Sequence, residues 1–312
     1  MSNAVVFPGQ GSQAVGMGQA LAETFAEARH VFEEVDDALG QKLSRLMWEG
    51  PIEDLTLTEN TQPALMAVSL AVMRVLEKQG NWRLSEKAAF VAGHSLGEYS
   101  ALAAAGSFTL ADTARLLKLR GQAMQKAVPV GVGAMAALLG VELSDAESIA
   151  AESAQGEVCQ VANDNSSGQV VISGHKAAID RAIGLAAEKG FKRSVLLPVS
   201  APFHCALMQP AADAMAEALG KVTLSAPVVP VVANVTAAPT VDPALIRAQL
   251  VQQVTGTVRW RECVLAMKGL GVERLIEAGS GKVLAGLVKR IDKDVAALSL
   301  QTPEEIDAFL SA

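Results

Sequence analysis

Cysteine is scarce in this chain of 312 residues: Cys159, Cys205 and Cys263 are odd in number, far apart and without a CxxC pair. That argues against a disulfide framework and a cysteine zinc site, and it fits a reducing cytoplasm. Histidine is nearly as rare, and His30, His94, His175 and His204 show no ligand spacing, so no metal is expected. One tyrosine and three tryptophans make no platform for stacking nucleic-acid bases. Basic charge is short as well, with 26 Lys and Arg against 33 Asp and Glu for a net −7, which disfavours a nucleic-acid partner. Half of the residues are hydrophobic, yet no apolar run approaches the ~18 residues that cross a bilayer, so no membrane partner is expected. The N-terminus has no basic region and enters a strand and a glycine turn at once, so no signal peptide is expected. What remains is an enzyme-sized cytoplasmic globule, with one large core or a large domain carrying a smaller one.

Short apolar strands alternate with longer helical stretches, the pattern of a largely parallel sheet covered by helices. A first strand is expected at 3–7, closed by Pro8-Gly9-Gln10-Gly11, then helices over 17–37 and 63–79, the second opened by Pro63. Residues 88–92 read as a buried strand, followed by a turn at Ser95 and an Ala-rich helix over 96–105. Thr109 and Asp112 have the spacing of a capping box for the helix that carries Arg120. The character changes over 128–133, a hinge rich in glycine. Beyond it β-α-β-β-α-β runs over 134–199, the ferredoxin-like order. Helix 206–219, strand 228–233, helices 243–254 and 259–269, strand 273–277 and helix 281–291 then restore the first pattern. The expected fold is α/β: a large parallel-sheet domain from 1–127 and 200–312, with a small ferredoxin-like domain inserted at 128–199.

GHSLG at 93–97 fits G-x-S-x-G between a buried strand and a helix, the setting of a nucleophile elbow. A serine on so sharp a turn needs neighbours without side chains, here Gly93 and Gly97. The Leu96 N–H at the new helix end would then face a developing oxyanion. The alternative is a glycine-flanked serine in an ordinary turn. A serine nucleophile needs a base. His94 abuts Ser95 and points elsewhere on an elbow, while His30 and His175 read as structural. His204, after a strand end, is left as the base by elimination, or else as a plain loop histidine. Arg120 lies opposite Arg115 and Lys118 on its helix, flanked by Leu116 and Leu117, so it is expected to turn inward. It then needs an anion, either a structural partner or a substrate carboxylate gripped by its planar fork. GQGSQAVGMG (9–18) and GSGKV (279–283) look like nucleotide loops, but Ala14 and Val283 stand where such loops need Gly and Ser or Thr.

Six segments in series resemble the malonyl-CoA:acyl carrier protein transacylase family of bacterial fatty acid synthesis. They are FPGQGSQ (7–13), GHSLGEYSAL (93–102), Arg120-Gly121, GQVVISG (168–174), PFHC (202–205) and GSGKVLAGL (279–287), and they span essentially the whole chain. The resemblance implies an α/β-hydrolase-like large domain with a ferredoxin-like insertion. It implies acylation of Ser95, His204 as base, and Arg120 as holder of the malonyl carboxylate. Gln10 and Leu96 would supply oxyanion-hole N–H groups, and Gln253, ahead of Val258-Arg259-Trp260, would accept the histidine's N–H. Phe203 before the histidine goes with malonyl in related acyltransferases. Malonyl-CoA and acyl carrier protein are the partners implied, with no cofactor. A serine hydrolase, an acyltransferase of polyketide or malonate metabolism, and a non-catalytic carrier-protein binding domain are the rival readings.

Overall fold

The computed structural model describes residues 2–199 and 201–312. Its strands are β1 (Asn3–Phe7), β2 (Phe90–Gly93), β3 (Gly133–Leu139), β4 (Cys159–Ser166) and β5 (Gln169–His175). They continue with β6 (Arg193–Leu196), β7 (Val231–Val232), β8 (Pro239–Thr240), β9 (Arg274–Ala278) and β10 (Ala296–Leu300). Among the described residues these form two sheets. One has the order β10-β9-β1-β2-β7-β8 and is parallel except for its last pair.

β1 sits in the middle of that sheet, and its sequence shows why. Val5 and Phe7 enter the core that holds the Thr58–Gly80 helix. Ala4 and Val6 enter a second core, with the Trp260–Gly269 and Val283–Ile291 helices. A strand apolar at every one of these positions is what a sheet covered on both faces requires.

The other sheet is antiparallel, in the order β4-β5-β3-β6, with helices Leu143–Ala154 and Lys176–Glu188 on one face. This is the ferredoxin-like arrangement, with all four strands inside 128–199. The domain boundary expected at residue 200 lies outside the described residues. The small sheet is also tied to the segment that opens the Trp260–Gly269 helix. Asp164 donates its N–H to the Val258 carbonyl at 3.0 Å, and Val258 donates to Ala162 at 2.9 Å. Arg261 Nε reaches the buried carboxylate of Asp164 at 3.0 Å.

Several elements differ from expectation for identifiable reasons. The Thr58–Gly80 helix begins five residues before Pro63, which lies inside it. Its first turn, Thr58 to Gln62, is polar in sequence but buried apart from the half-buried Glu59, because Thr58, Asn60, Thr61 and Gln62 bond to residues outside the helix. The helix expected over 17–37 breaks at Phe25, whose backbone is extended. β7 is cut to two residues, since Pro227 and Pro230 have no N–H for a ladder. β10 and the Pro303–Leu310 helix, capped by Thr302, add to the expected elements; β10 extends the parallel sheet beside β9.

Candidate active site

β2 ends at Gly93 and the next helix starts at Gly97, so the chain must reverse within three residues. Ser95 makes the turn with a left-handed backbone, φ 53°. A Cβ on Gly93 would lie 1.9 Å from the Gly97 carbonyl carbon, and one on Gly97 would lie 2.2 Å from the Phe7 oxygen. Both glycines are therefore required by close approach.

Ser95 Oγ lies 2.8 Å from His204 Nε2, and His204 Nδ1 lies 2.8 Å from the Gln253 backbone carbonyl. A carbonyl only accepts, so Nδ1 carries the proton and Nε2 is left to accept from the serine. His204 is 4% exposed and also has a left-handed backbone, φ 58°. Burial, and then the charge of Arg120, lower its pKa from the usual 6.5 to about 3. It is thus a neutral base at neutral pH.

Arg120 projects from the Leu110–Lys126 helix, whose first turn is capped by Thr109 accepting the Asp112 N–H at 3.0 Å. As its helical phase requires, it is turned inward and is 1% exposed. It donates to Gln62 Oε1 at 2.8 Å, to Gln253 Oε1 at 2.9 Å and to Ser95 Oγ at 3.1 Å. The Tyr99 ring centroid is 5.7 Å from the guanidinium. Among the described residues no carboxylate pairs with it within ion-pair distance, which removes the structural ion pair. Glu98, the nearby acid, is reached only through the Gln253 amide, at 2.9 Å from Nε2 to Oε2. Burial raises its carboxyl to about 7.

A cavity of about 120 Å³ opens over the serine at the carboxyl ends of β1 and β2. Gln10, Ser95, Leu96, Arg120, Phe203 and His204 line it, together with Met135, Leu197 and Val199 of the small-sheet region. Gln253 lies behind that lining, fully buried. Gln10 is held by the Thr58 hydroxyl, which donates to its Oε1 at 2.9 Å. No described residue accepts the backbone N–H of Gln10 or Leu96, so both stay available to a ligand.

His94 also lines the cavity, but its Nε2 lies 2.8 Å from Asn165 Oδ1, and His175 accepts the Val158 N–H at 2.9 Å. Both histidines have structural partners. The GSGKV segment offers no anion site either. The Glu277 carboxylate already accepts the N–H groups of Leu284 and Ala285 at the head of the Val283–Ile291 helix. Among the described residues no group of three or more His, Cys, Asp or Glu is placed to hold a metal ion. None of the described helices is long and apolar enough to cross a membrane.

Gln62, Asn234 and Glu98 join the site without having stood out in the sequence. Their signal is slight: a polar residue at an interior helical position or at a strand end, each with partners far away in the chain.

A family described as acyl transferase domain matches residues 4–296. The malonyl CoA-acyl carrier protein transacylase of Salmonella typhimurium is 47% identical over 308 residues, 99% of this chain and 98% of that protein. The one from Bacillus subtilis is 42% identical over 97% of this chain and 95% of its own length. Among solved structures, an acyl-carrier-protein-S-malonyltransferase from Bartonella henselae superposes with a TM-score of 0.97 at 59% identity, covering 100% of this chain and 99% of that one. A malonyl-transacylase in complex with a type II PKS acyl-carrier protein superposes with a TM-score of 0.96 at 42% identity, covering 100% and 99%.

Proposed function

The chain belongs to the acyl transferase family, among its malonyl CoA-acyl carrier protein transacylases, and on that premise we propose that it carries malonyl from coenzyme A to acyl carrier protein through an ester on Ser95. The observation that carries this reading is Arg120, a buried guanidinium without a carboxylate partner among the described residues, touching the candidate nucleophile. A desolvated cation without a counter-ion is costly, and a substrate carboxylate would supply one.

In the proposed sequence, the malonyl carboxylate pairs with Arg120 and the thioester oxygen takes the N–H groups of Gln10 and Leu96. Ser95 Oγ attacks the carbonyl carbon as His204 Nε2 takes its proton. The C–S bond breaks, and the departing sulfur receives that proton as coenzyme A thiol. The phosphopantetheine thiol of the carrier protein then gives its proton to His204 and attacks the ester, and the proton returns to Ser95. One thioester is exchanged for another, so the step is nearly balanced and no outside energy source is needed. The Gln253 carbonyl keeps His204 in the working tautomer. Phe203 lines the acyl pocket and bounds its size.

We further propose that 1–127 with 200–312 and 128–199 act as two domains with the cleft between them. A cytoplasmic setting is proposed from the three free cysteines. Intact-mass spectrometry after mixing with malonyl-CoA tests the function. A malonyl adduct that maps to Ser95, is absent from Ser95→Ala and discharges onto carrier protein is expected. Discharge to water at the same rate with or without carrier protein would make the protein a hydrolase instead.

A further inference from the structure

The strained turn at Ser95 is held from behind by a residue outside its motif. The Ser95 N–H donates to Asn234 Oδ1 at 2.8 Å, and Asn234 Nδ2 donates to the Gly93 carbonyl at 2.7 Å. One amide thus spans the elbow, accepting on the serine and donating on the strand. A side-chain amide carries both functions side by side on one short planar group.

Asn234 is fully buried just after β7, and it is fixed in its turn. Its own N–H donates to Glu98 Oε2 at 2.9 Å, the same oxygen that receives Gln253 Nε2 at 2.9 Å. Gln253 carries the carbonyl beneath His204 and the amide oxygen beside Arg120. Nucleophile, base and guanidinium are therefore referred to one buried carboxylate through two amides.

From these contacts we infer that Asn234, anchored by Glu98, is a positioning residue that holds the Ser95 backbone in its left-handed turn and so aims the hydroxyl at His204. Without it, the Ser95 N–H and the Gly93 carbonyl lose their partner; the turn keeps only the Gln253 Nε2 donation to the Ser95 carbonyl at 3.1 Å among its side-chain supports and is freer to relax toward ordinary angles. The inference rests on Ser95 being the nucleophile.

The test uses Asn234→Ala and Asn234→Asp in the full chain, with two readouts: acyl loading from malonyl-CoA and acetyl-CoA, and labelling of Ser95 by a fluorophosphonate. Asn234→Ala should lose about 10²-fold in kcat for both acyl groups with little change in KM, since a misplaced nucleophile costs that much. Phosphonate labelling should slow alongside.

Asn234→Asp gives a sharper result. As carboxylate it sets a second oxygen against the Gly93 carbonyl; protonated, it regains the donor. Its surroundings are Glu98 ahead of it, Arg120 across Gln253, Arg259 and Cys263 on the following segment, and His204 beyond the serine. Burial and Glu98 favour the acid form against Arg120 and Arg259, and Arg259 is already engaged by Glu262. Activity of Asn234→Asp relative to the native enzyme should therefore rise as pH falls from 8 toward 6, by up to about tenfold per unit for one protonation. A purely structural role would lower thermal stability without this pH response. Native labelling in Asn234→Ala, or an Asn234→Asp loss that does not change with pH, overturns the inference. If Asn234→Ala does not fold, the pH response of Asn234→Asp decides. The phosphonate reports on Ser95 alone, so its rate answers for the positioning even if malonyl transfer fails in the native enzyme.

Discussion

Arg120 Nη2 lies 3.1 Å from Ser95 Oγ, so the buried guanidinium and the strained serine are in direct contact. A malonyl thioester holds its carboxylate one methylene from the carbonyl that is attacked. In the proposed reading, a carboxylate held by Arg120 would sit at that short spacing from the nucleophile.

The first prediction concerns acyl choice. Removing one partner of a desolvated charge pair costs ~2–5 kcal/mol, or ~30-fold to several thousand-fold. Arg120→Ala should lose malonyl loading by at least the lower factor and acetyl loading by far less. Arg120→Lys should fall between, keeping the charge without the two-pronged fork. Parallel loading with both acyl groups checks this. An unchanged malonyl-to-acetyl ratio would place the carboxylate site elsewhere.

His204→Ala should lower transfer by roughly 10²–10⁴-fold, the usual worth of a positioned acid–base group. A larger loss in His94→Ala would move the base to the other histidine.

The depressed pKa of His204 has two pH consequences. The group titrates at about 3 in the free enzyme, so kcat/KM should show no acid limb near the usual 6.5 while the protein stays folded. For stability, the unfolded chain binds this proton from 6.5 downward while the folded one resists it to about 3. Its contribution is complete above 6.5 and is lost as pH falls through that window. Urea unfolding of the native enzyme and His204→Gln across the range should show the smaller acid loss in the variant. Equal slopes would mean that His204 titrates normally in the fold.

For docking of the carrier protein, two exposed basic clusters are candidates: Lys189, Lys192 and Arg193, and Lys282, Lys289 and Arg290. Lys189 and Lys282 are partly spent on Glu152 and Glu305. Reversing Lys192 with Arg193, or Lys289 with Arg290, should raise KM for carrier protein and leave KM for malonyl-CoA alone. Unchanged constants in both double variants would dismiss the patches.

Much of this architecture is legible in the sequence, for local reasons. β1 is apolar at alternate and intervening positions alike, the elbow announces itself through its two glycines, and the order of elements in the small sheet follows from period changes alone. The turn of Thr58 to Gln62 is not legible, because buried polar residues look like loop residues until their partners are known. Gln62 meets Arg120 58 positions on, and Asn234 meets Ser95 139 positions back. Such pairs are set by topology, which local periodicity does not report. Thr302-Pro303 does carry a helix-start signal, but the strand before it is only half buried and stands out poorly from its surroundings.

The lacing of Val258 to the small sheet bears on how the proposed Ser95 ester would be shielded. Val258 lies five residues beyond Gln253, whose carbonyl holds His204. Amide exchange at Val258 and Asp164 should accordingly be as slow as in β1, and rapid exchange there would show that the small sheet parts freely from the segment ahead of the Trp260–Gly269 helix. With the lacing intact, the proposed cleft would behave as a rigid slot rather than a jaw. Any gape wide enough to flood the malonyl ester with solvent would also drag the histidine's support away, so the wet state of the enzyme would be its idle state.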